Sequence, residues 1–321
     1  MPLSEFSIID RFFRRQSTPK TLLSIGDDAA LIEPPVGEVL AISVDTLVVG
    51  RHFPEQTTPA DIGYKSLAVN LSDMAAMGAE PRWATLSLAL PEVDEAFLQP
   101  FSDTLIALAE QHGVELVGGD TVRGPLTITL QIIGTLPAER ALKRSGARVG
   151  DAIFISGTVG DAAQGLSFAL AGHGQTDDEA YLLGRLNRPT PRVELGLALR
   201  GLATSAIDIS DGLLADLGHI LKQSGVSAEI FSELIPCSDA LRAAVPELRE
   251  RLPLMVAGGD DYELCFTVPE SGVEELAKIA GVLSLPLTRI GTICEAGDSH
   301  SVLLDGKVLS QQGFDHFKGE D

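Results

Sequence analysis

Basic side chains are scarce in this sequence: 24 Lys and Arg stand against 45 Asp and Glu, a formal charge of −21. Surfaces that wrap nucleic acid need clustered Lys and Arg, so charge excludes that class of partner. Cysteine is rarer still. Cys237, Cys265 and Cys294 are an odd number, widely spaced and without a CxxC pair, which argues against a disulfide framework or a zinc ribbon. Cys265 in "YELCFTV" and Cys294 in "RIGTICEAG" read as inert thiols of core strands. The six histidines lack HxxxH spacing, so a zinc site is not expected. No apolar run approaches the roughly 18 residues of a membrane span. The N-terminal "MPLSEFSIIDRFFRR" has no signal-peptide core and reads as an amphipathic helix. A soluble, cytoplasmic protein is the expectation. The common nucleotide and hydrolase signatures are missing too: no GxxxxGK[ST], no GxGxxG with HRD and DFG, no GxSxG.

What is present is material for folded cores, with 45% hydrophobic residues over 321 positions. At roughly 100–200 residues per domain, two domains are expected, divided as 1–149 and 150–321. "VLAISVDTLVVG" (39–50) reads as a strand. "TPADIGYKSLAVNLSDMAAMG" reads as a helix capped at Thr58 and ended by Gly78. "RWATLSLALP" alternates as a strand, "EAFLQPFSDTLIALAEQHG" is helical in its later part, and "VELVGGD" and "LTITLQIIGTL" are strands. The second half repeats the alternation, with helices near 160–171, 178–186 and 192–200, the strand "SAIDIS" and the helix "DGLLADLGHILKQSG". The fold class is α/β (α+β): two α/β domains, each a sheet with helices packed on one face.

The acidic residues are distributed unusually. Asp73, in "NLSDMAAMGAEP", has no Lys or Arg within seven residues on either side. Helical spacing puts it on one face with Ser66 and Asn70. Asp27 and Asp28 follow a glycine in "SIGDDAALI", where a plain turn is the competing reading. Period 2 in "AISVDTLVV" places Ser43 and Asp45 on the same face of an otherwise apolar strand. "VELVGGDTVRGP" ends a strand with Gly118, Gly119 and Asp120; paired glycines let backbone N–H groups approach an anion, and Asp120 suits the accompanying cation. "SAIDISDGLL" offers Asp208, Ser210 and Asp211; capping by Ser210 or Asp211 would leave Asp208 unexplained. "VAGGDDYELCF" adds Asp260, Asp261 and Glu263. Oxygen-only clusters of this kind suit Mg²⁺, which recruits phosphates and water to complete its octahedron. Arg123, Lys143, Arg144, Arg148, Arg185, Arg188 and Arg192 are the basic groups that could pair with phosphate, though unpaired surface Arg is the commoner case.

These segments, with "SVDTLVVGRHF", "YKSLAVNLSDMAAMGAEP", "RSGARVGD" and "RPTPRVELG", occur in an order that resembles the thiamine-monophosphate kinase family over essentially the whole chain. The resemblance implies the two-domain fold shared with aminoimidazole ribonucleotide synthetase, usually a homodimer. It implies ATP-dependent phosphorylation of thiamine monophosphate to thiamine diphosphate, assisted by several Mg²⁺ ions, with a K⁺ requirement left open. Carried over by motif, Asp27 or Asp28, Ser43, Val44, Asp45, Asp73, Asp120, Asp208 and Asp211 would hold magnesium. Gly119, Asp120, Arg144 and Ser210 would contact ATP, with Asp45, Asp120 and Arg144 around the transferring phosphoryl group. His52, Glu263 and Phe317 would contact the thiamine moiety, with Phe314 a rival to Phe317. The rival readings are another ATP-using enzyme of the same fold, a non-catalytic Mg–nucleotide-binding regulator and a metal phosphatase. A selenide-using relative needs an early reactive Cys, yet none precedes Cys237; a hydrogenase-maturation relative carries a C-terminal Cys, and this chain ends "HFKGED".

Overall fold

The structure is a computed structural model that describes residues 4–15, 21–296 and 300–309. The chain divides into two compact units, Met1–Met74 with Ala79–Glu139, and Ala75–Gly78 with Arg140–Asp321.

In the first unit, strands β1 (Thr21–Leu23) and β2 (Leu31–Ile32) form a small antiparallel pair. The main sheet comprises β3 (Val39–Val48), β4 (Glu80–Leu90), β5 (Glu115–Arg123) and β6 (Thr127–Leu136) in the order β3-β6-β4-β5. β6 is antiparallel to both neighbours, while β4 and β5 are parallel. Parallel strands need a crossover, and helix α3 (Glu95–Gln111) provides it. Helix α1 (Glu5–Ile8) runs into a wider turn at Ile9–Phe13 that buries Phe12 and Phe13, the latter edge-on to Phe101 of α3. Helix α2 (Pro59–Met77) begins after Thr58, whose hydroxyl accepts from the Asp61 N–H and donates to its carboxylate.

α3 is longer than its sequence suggests. It starts at Glu95, where the Asp94 side chain caps the first turn by accepting from Ala96 N–H, and it contains Pro100. One sheet face is dry: Ile128, Leu130 and Ile132 of β6 are buried, as are Leu67, Leu71 and Met74 of α2 and Leu98, Phe101 and Leu105 of α3. The other face is open, and Ile42 and Val44 of the edge strand β3 are 59% and 56% exposed. Trp83 on β4 donates its indole N–H to Thr21, whose hydroxyl donates to Glu115, tying β1 to the main sheet.

The second unit holds strands β7 (Ala152–Ser156), β8 (Ser205–Asp208), β9 (Ser227–Ile230), β10 (Leu264–Val268), β11 (Leu287–Cys294), β12 (Val302–Leu304) and β13 (Lys307–Leu309). They form one mixed sheet in the order β13-β12-β9-β11-β7-β10-β8. Its helices are α4 (Asp161–Ala171), α5 (Asp177–Asn187), α6 (Val193–Ala198), α7 (Leu213–Ser224), α8 (Asp239–Ala244), α9 (Leu248–Ala257) and α10 (Val273–Leu283). Every residue of β7 and β10 is buried. Both sheet faces are therefore covered at the centre, unlike the one-sided packing expected from sequence. Cys265 is enclosed on β10 and Cys237 and Cys294 are half-buried, all three as free thiols.

Candidate functional site

Period 2 on β3 turns Ser43 and Asp45 inward, half-buried, while Ile42, Val44 and Thr46 point out. The Ser43 hydroxyl donates to Asp73 Oδ2 at 2.5 Å, joining β3 to α2. Burial first, then the Asp73 charge beside it, push the Asp45 carboxyl up to about 7. Two carboxylates held this close, in a half-dry setting, favour a bound cation over mutual repulsion. Ser66 and Asn70 do not share that role. Ser66 donates to Ile62 O and Asn70 Nδ2 to Ser66 O, both within α2 and fully buried; Asn70 Oδ1 is enclosed without a partner. Val44 exposes an apolar side chain, so only its main-chain oxygen has ligand chemistry.

A cavity of about 640 Å³ in the same unit is lined by Asp27, Asp28, Gly119 and Asp120, with Asp10 and Arg14 of the N-terminal helical segment. Gly119 has φ 154°, and a Cβ there would overlap the Leu86 carbonyl. Only glycine lets β5 lie that close to β4 with Asp120 exposed at its side. Asp27 and Asp28 are both exposed, and Asp27 accepts from the Asp28 N–H. Among the described residues, no three His, Cys, Asp or Glu side chains gather into a ready-made metal-holding group. The donors come in pairs and around an open cavity, which suits Mg²⁺, since that ion is usually held by one or two carboxylates with phosphates and water supplying the rest.

His52 is half-buried in the turn after β3, with Nδ1 accepting from Val48 N–H. The buried Lys65 ammonium donates to the His52 carbonyl. Phe317 and Phe314 lie outside the described residues.

In the second unit, Asp208 closes β8, and Ser210 and Asp211 form the turn into α7. Asp216 is the group that sequence spacing missed there. Its Oδ2 accepts from the N–H groups of Ser210, Asp211 and Gly212. Burial and the Asp211 charge push its carboxyl up to about 7 against the pull of those N–H groups. Arg144 is exposed, and its carbonyl accepts from Ser224 at the end of α7. Burial lowers the pKa of His219, and the charges of Arg144 and Asp211 act on it in opposite directions, so all three belong to one electrostatic neighbourhood.

Glu263 departs from the expectation of an open, ligand-facing carboxylate. It is fully buried. Arg192 grips it with two bonds of 2.6 Å, Arg185 adds one of 2.9 Å and Ser156 donates another of 2.6 Å. Arg185 and Arg192 are thereby spent on Glu263 rather than on phosphate. The neighbouring Asp261 is equally enclosed and caps α4 through the N–H groups of Gly160 and Ala162. Burial pushes its carboxyl up to about 8. Asp260, the remaining acid of the motif, is half-buried at φ 68°, and Tyr262, at φ 51°, donates to it. Left-handed backbone at two non-glycine residues marks a loop held under strain.

Two family models match the chain: AIR synthase related protein, N-terminal domain, over residues 26–136, and AIR synthase related protein, C-terminal domain, over residues 148–303. Thiamine-monophosphate kinase of Salmonella typhimurium is 48% identical, covering 99% of both chains. The enzyme of the same name from Bacillus subtilis is 34% identical over 98% of this chain and 100% of its own. Among solved structures, thiamine-monophosphate kinase from Stenotrophomonas maltophilia superposes with a TM-score of 0.88 at 46% identity, covering 96% of this chain and 99% of that one. AaThiL complexed with AMPPCP and TMP superposes with a TM-score of 0.79 at 33% identity, covering 92% of each. The chain belongs to the AIR synthase related family and, within it, to the thiamine-monophosphate kinases.

Proposed function

We propose that the chain transfers the γ-phosphoryl group of ATP directly to the phosphate of thiamine monophosphate, giving thiamine diphosphate and ADP. The observation that carries the reading is full-length identity of 48% to a thiamine-monophosphate kinase, supported by AaThiL in complex with AMPPCP and TMP. The nucleophile is an oxygen of the acceptor phosphate, already ionised at neutral pH, so no tuned general base is required. A new P–O bond forms at the γ-phosphorus while its bond to the β-phosphate oxygen breaks. The protein's task is to hold two polyanions in line and offset their charge.

Magnesium, when bound, neutralises the phosphate oxygens that carry developing charge. Asp45, Asp73 and Asp120 of the first unit would hold it with Asp27 or Asp28, Ser43 and the Val44 carbonyl, and Asp208 and Asp211 would do so in the second. The raised pKa of Asp45 supports this, because a carboxyl held up first by burial and then by the Asp73 charge is relieved by a cation. Gly119, Ser210 and Arg144 would meet the nucleotide. With Glu263 enclosed, the half-buried Asp260 of the same motif would meet the cationic thiazolium, and His52 would also contact the thiamine moiety. The exposed Ile42 and Val44 face supports a homodimer formed through the first unit's sheet. Three unbridged cysteines support a reducing, cytoplasmic setting.

The test is ADP and thiamine diphosphate formation from ATP and Mg²⁺, with and without thiamine monophosphate. Equal amounts of both products, each dependent on the acceptor, support the kinase. Inorganic phosphate released without acceptor would mean a phosphatase. Nucleotide binding without turnover would mean a regulator.

A further inference from the structure

We infer that Asp216 is a positioning residue for phosphoryl transfer: its carboxylate fills the backbone turn that leads into α7 and holds Ser210–Gly212 in one shape, so that the loop accepts a metal-bound nucleotide and not a bare anion. The inference rests on the reading above that Ser210 and Asp211 serve the nucleotide and its metal.

Helix α7 opens behind Gly212, at φ 114°, which has no side chain to cap it. Convergent N–H groups in a turn of this kind ordinarily take an oxygen acceptor or an external anion such as phosphate. Here a residue from inside the first turn reaches back. Asp216 Oδ2 lies 3.0 Å from Ser210 N, 3.0 Å from Asp211 N and 3.1 Å from Gly212 N, and the Asp216 N–H donates to Gly212 O at 3.0 Å. Asp216 is 2% exposed. The loop is clasped from the other side as well. Asp260 N–H donates to the Ser210 carbonyl at 2.9 Å, and a Cβ on Gly259 would lie 2.4 Å from that oxygen. A Cβ on Gly212 would meet the Ala257 backbone at 2.9 Å. Neither glycine can be replaced without moving the loop.

The consequence is a change of sign. Three convergent N–H groups form an anion-binding nest, but this nest already holds a carboxylate. What the turn offers a ligand is the oxygen chemistry of the half-buried Ser210 and Asp211, with Asp208 buried at the end of β8. A polyphosphate without a cation is repelled there, and one carrying Mg²⁺ is held. Outer-shell groups that hydrogen-bond metal ligands directly typically change metal affinity or activity by roughly 10–100-fold when altered, and Asp216, which holds the main chain of its ligand residues, is assigned the lower end of that range.

The test compares Asp216→Asn, Asp216→Glu and Asp211→Asn in the full chain. Three readouts are taken: hydrogen–deuterium exchange of the loop in nucleotide-free protein, Mg²⁺ dependence of binding a non-hydrolysable ATP analogue by calorimetry, and steady-state kinetics. In Asp216→Asn, amides 210–212 exchange faster while the later turns of α7 do not. The Mg²⁺ concentration for half-maximal analogue binding rises roughly tenfold, and KM for thiamine monophosphate stays near the wild-type value. Unchanged Mg²⁺ dependence overturns the inference, and so does faster exchange across all of α7 with lower thermal stability and no Mg²⁺ shift. Should Asp216→Asn not fold, Asp216→Glu keeps the charge but displaces it by one methylene. It gives a smaller Mg²⁺ shift, and wild-type Mg²⁺ dependence beside altered loop exchange overturns the inference equally. Wild-type behaviour in Asp211→Asn instead brings down the ligand reading itself. A shift in Asp211→Asn alone brings down only the role of Asp216.

Discussion

Two carboxylates, Asp45 and Glu263, come from similar sequence surroundings and meet opposite fates. Asp45 sits among the apolar residues of β3 and Glu263 immediately before those of β10, each in a segment rich in Asp, Gly or Ser. Asp45 is pushed up to about 7 first by burial and then by the charge of another carboxylate, Asp73. Glu263 has Arg192 at 2.6 Å and Arg185 at 2.9 Å, both delivered from helical segments of its own unit. An acid pressed against an acid is chemistry waiting for a cation. An acid gripped by two guanidiniums is internally satisfied and acts as structure.

The sharpest way to break that contrast is to neutralise one acid of each kind. Asp45→Asn and Asp120→Asn should lower kcat by at least about 100-fold, since metal stabilisation of a transferring phosphoryl is worth several kcal/mol. Both should retain the circular dichroism and melting profile of the parent. Normal kinetics in either would break the ligand assignment. Glu263→Ala should behave the other way, losing about 3–5 kcal/mol of stability, because it leaves buried guanidiniums unpaired. Urea titration measures that loss, and a stable but inactive protein would return Glu263 to the list of direct ligands.

Asp261 sharpens the comparison through pH. Its folded carboxyl titrates near 8 against an ordinary value of 3.8, so the folded state holds a proton that the unfolded state gives up. Stability from this group is full below the ordinary value and declines as pH rises through about 8. Asp261→Asn should flatten the pH dependence of the denaturant midpoint by up to about 1.4 kcal/mol per pH unit within that window. An identical slope in parent and variant would contradict it. The smallest effect is expected for Ser43→Ala. Removing the hydroxyl that donates to Asp73 should cost about 0.5–1.5 kcal/mol of stability, with a weakened Mg²⁺ dependence read by calorimetry.

Much of the architecture was legible in local pattern. Alternation across residues 39–48 put Ser43 and Asp45 on one face, as β3 has them. The capping spacing at Thr58 and Asp61 located the start of α2. The start of α3 is not legible, because Pro100 reads as a helix breaker in sequence although the helix runs through it from Glu95. Helical spacing places Ser66, Asn70 and Asp73 on one face but does not reveal their chemistry: Ser66 and Asn70 bond back into their own helix, whereas Asp73 accepts from Ser43 on β3.

By itself, the sequence determined the alternation of strand and helix, the oxygen-rich and base-poor character of the motifs, and the family, because these depend on residue type and near-neighbour spacing. The tertiary structure alone decided which acids are spent. Glu263 meets Arg192 across 71 residues of chain and Arg185 across 78, and Asp261 meets the Gly160 N–H across 101. Burial and partnership at such separations depend on how β7, β10, α4 and α5 pack, and no local spacing carries that information.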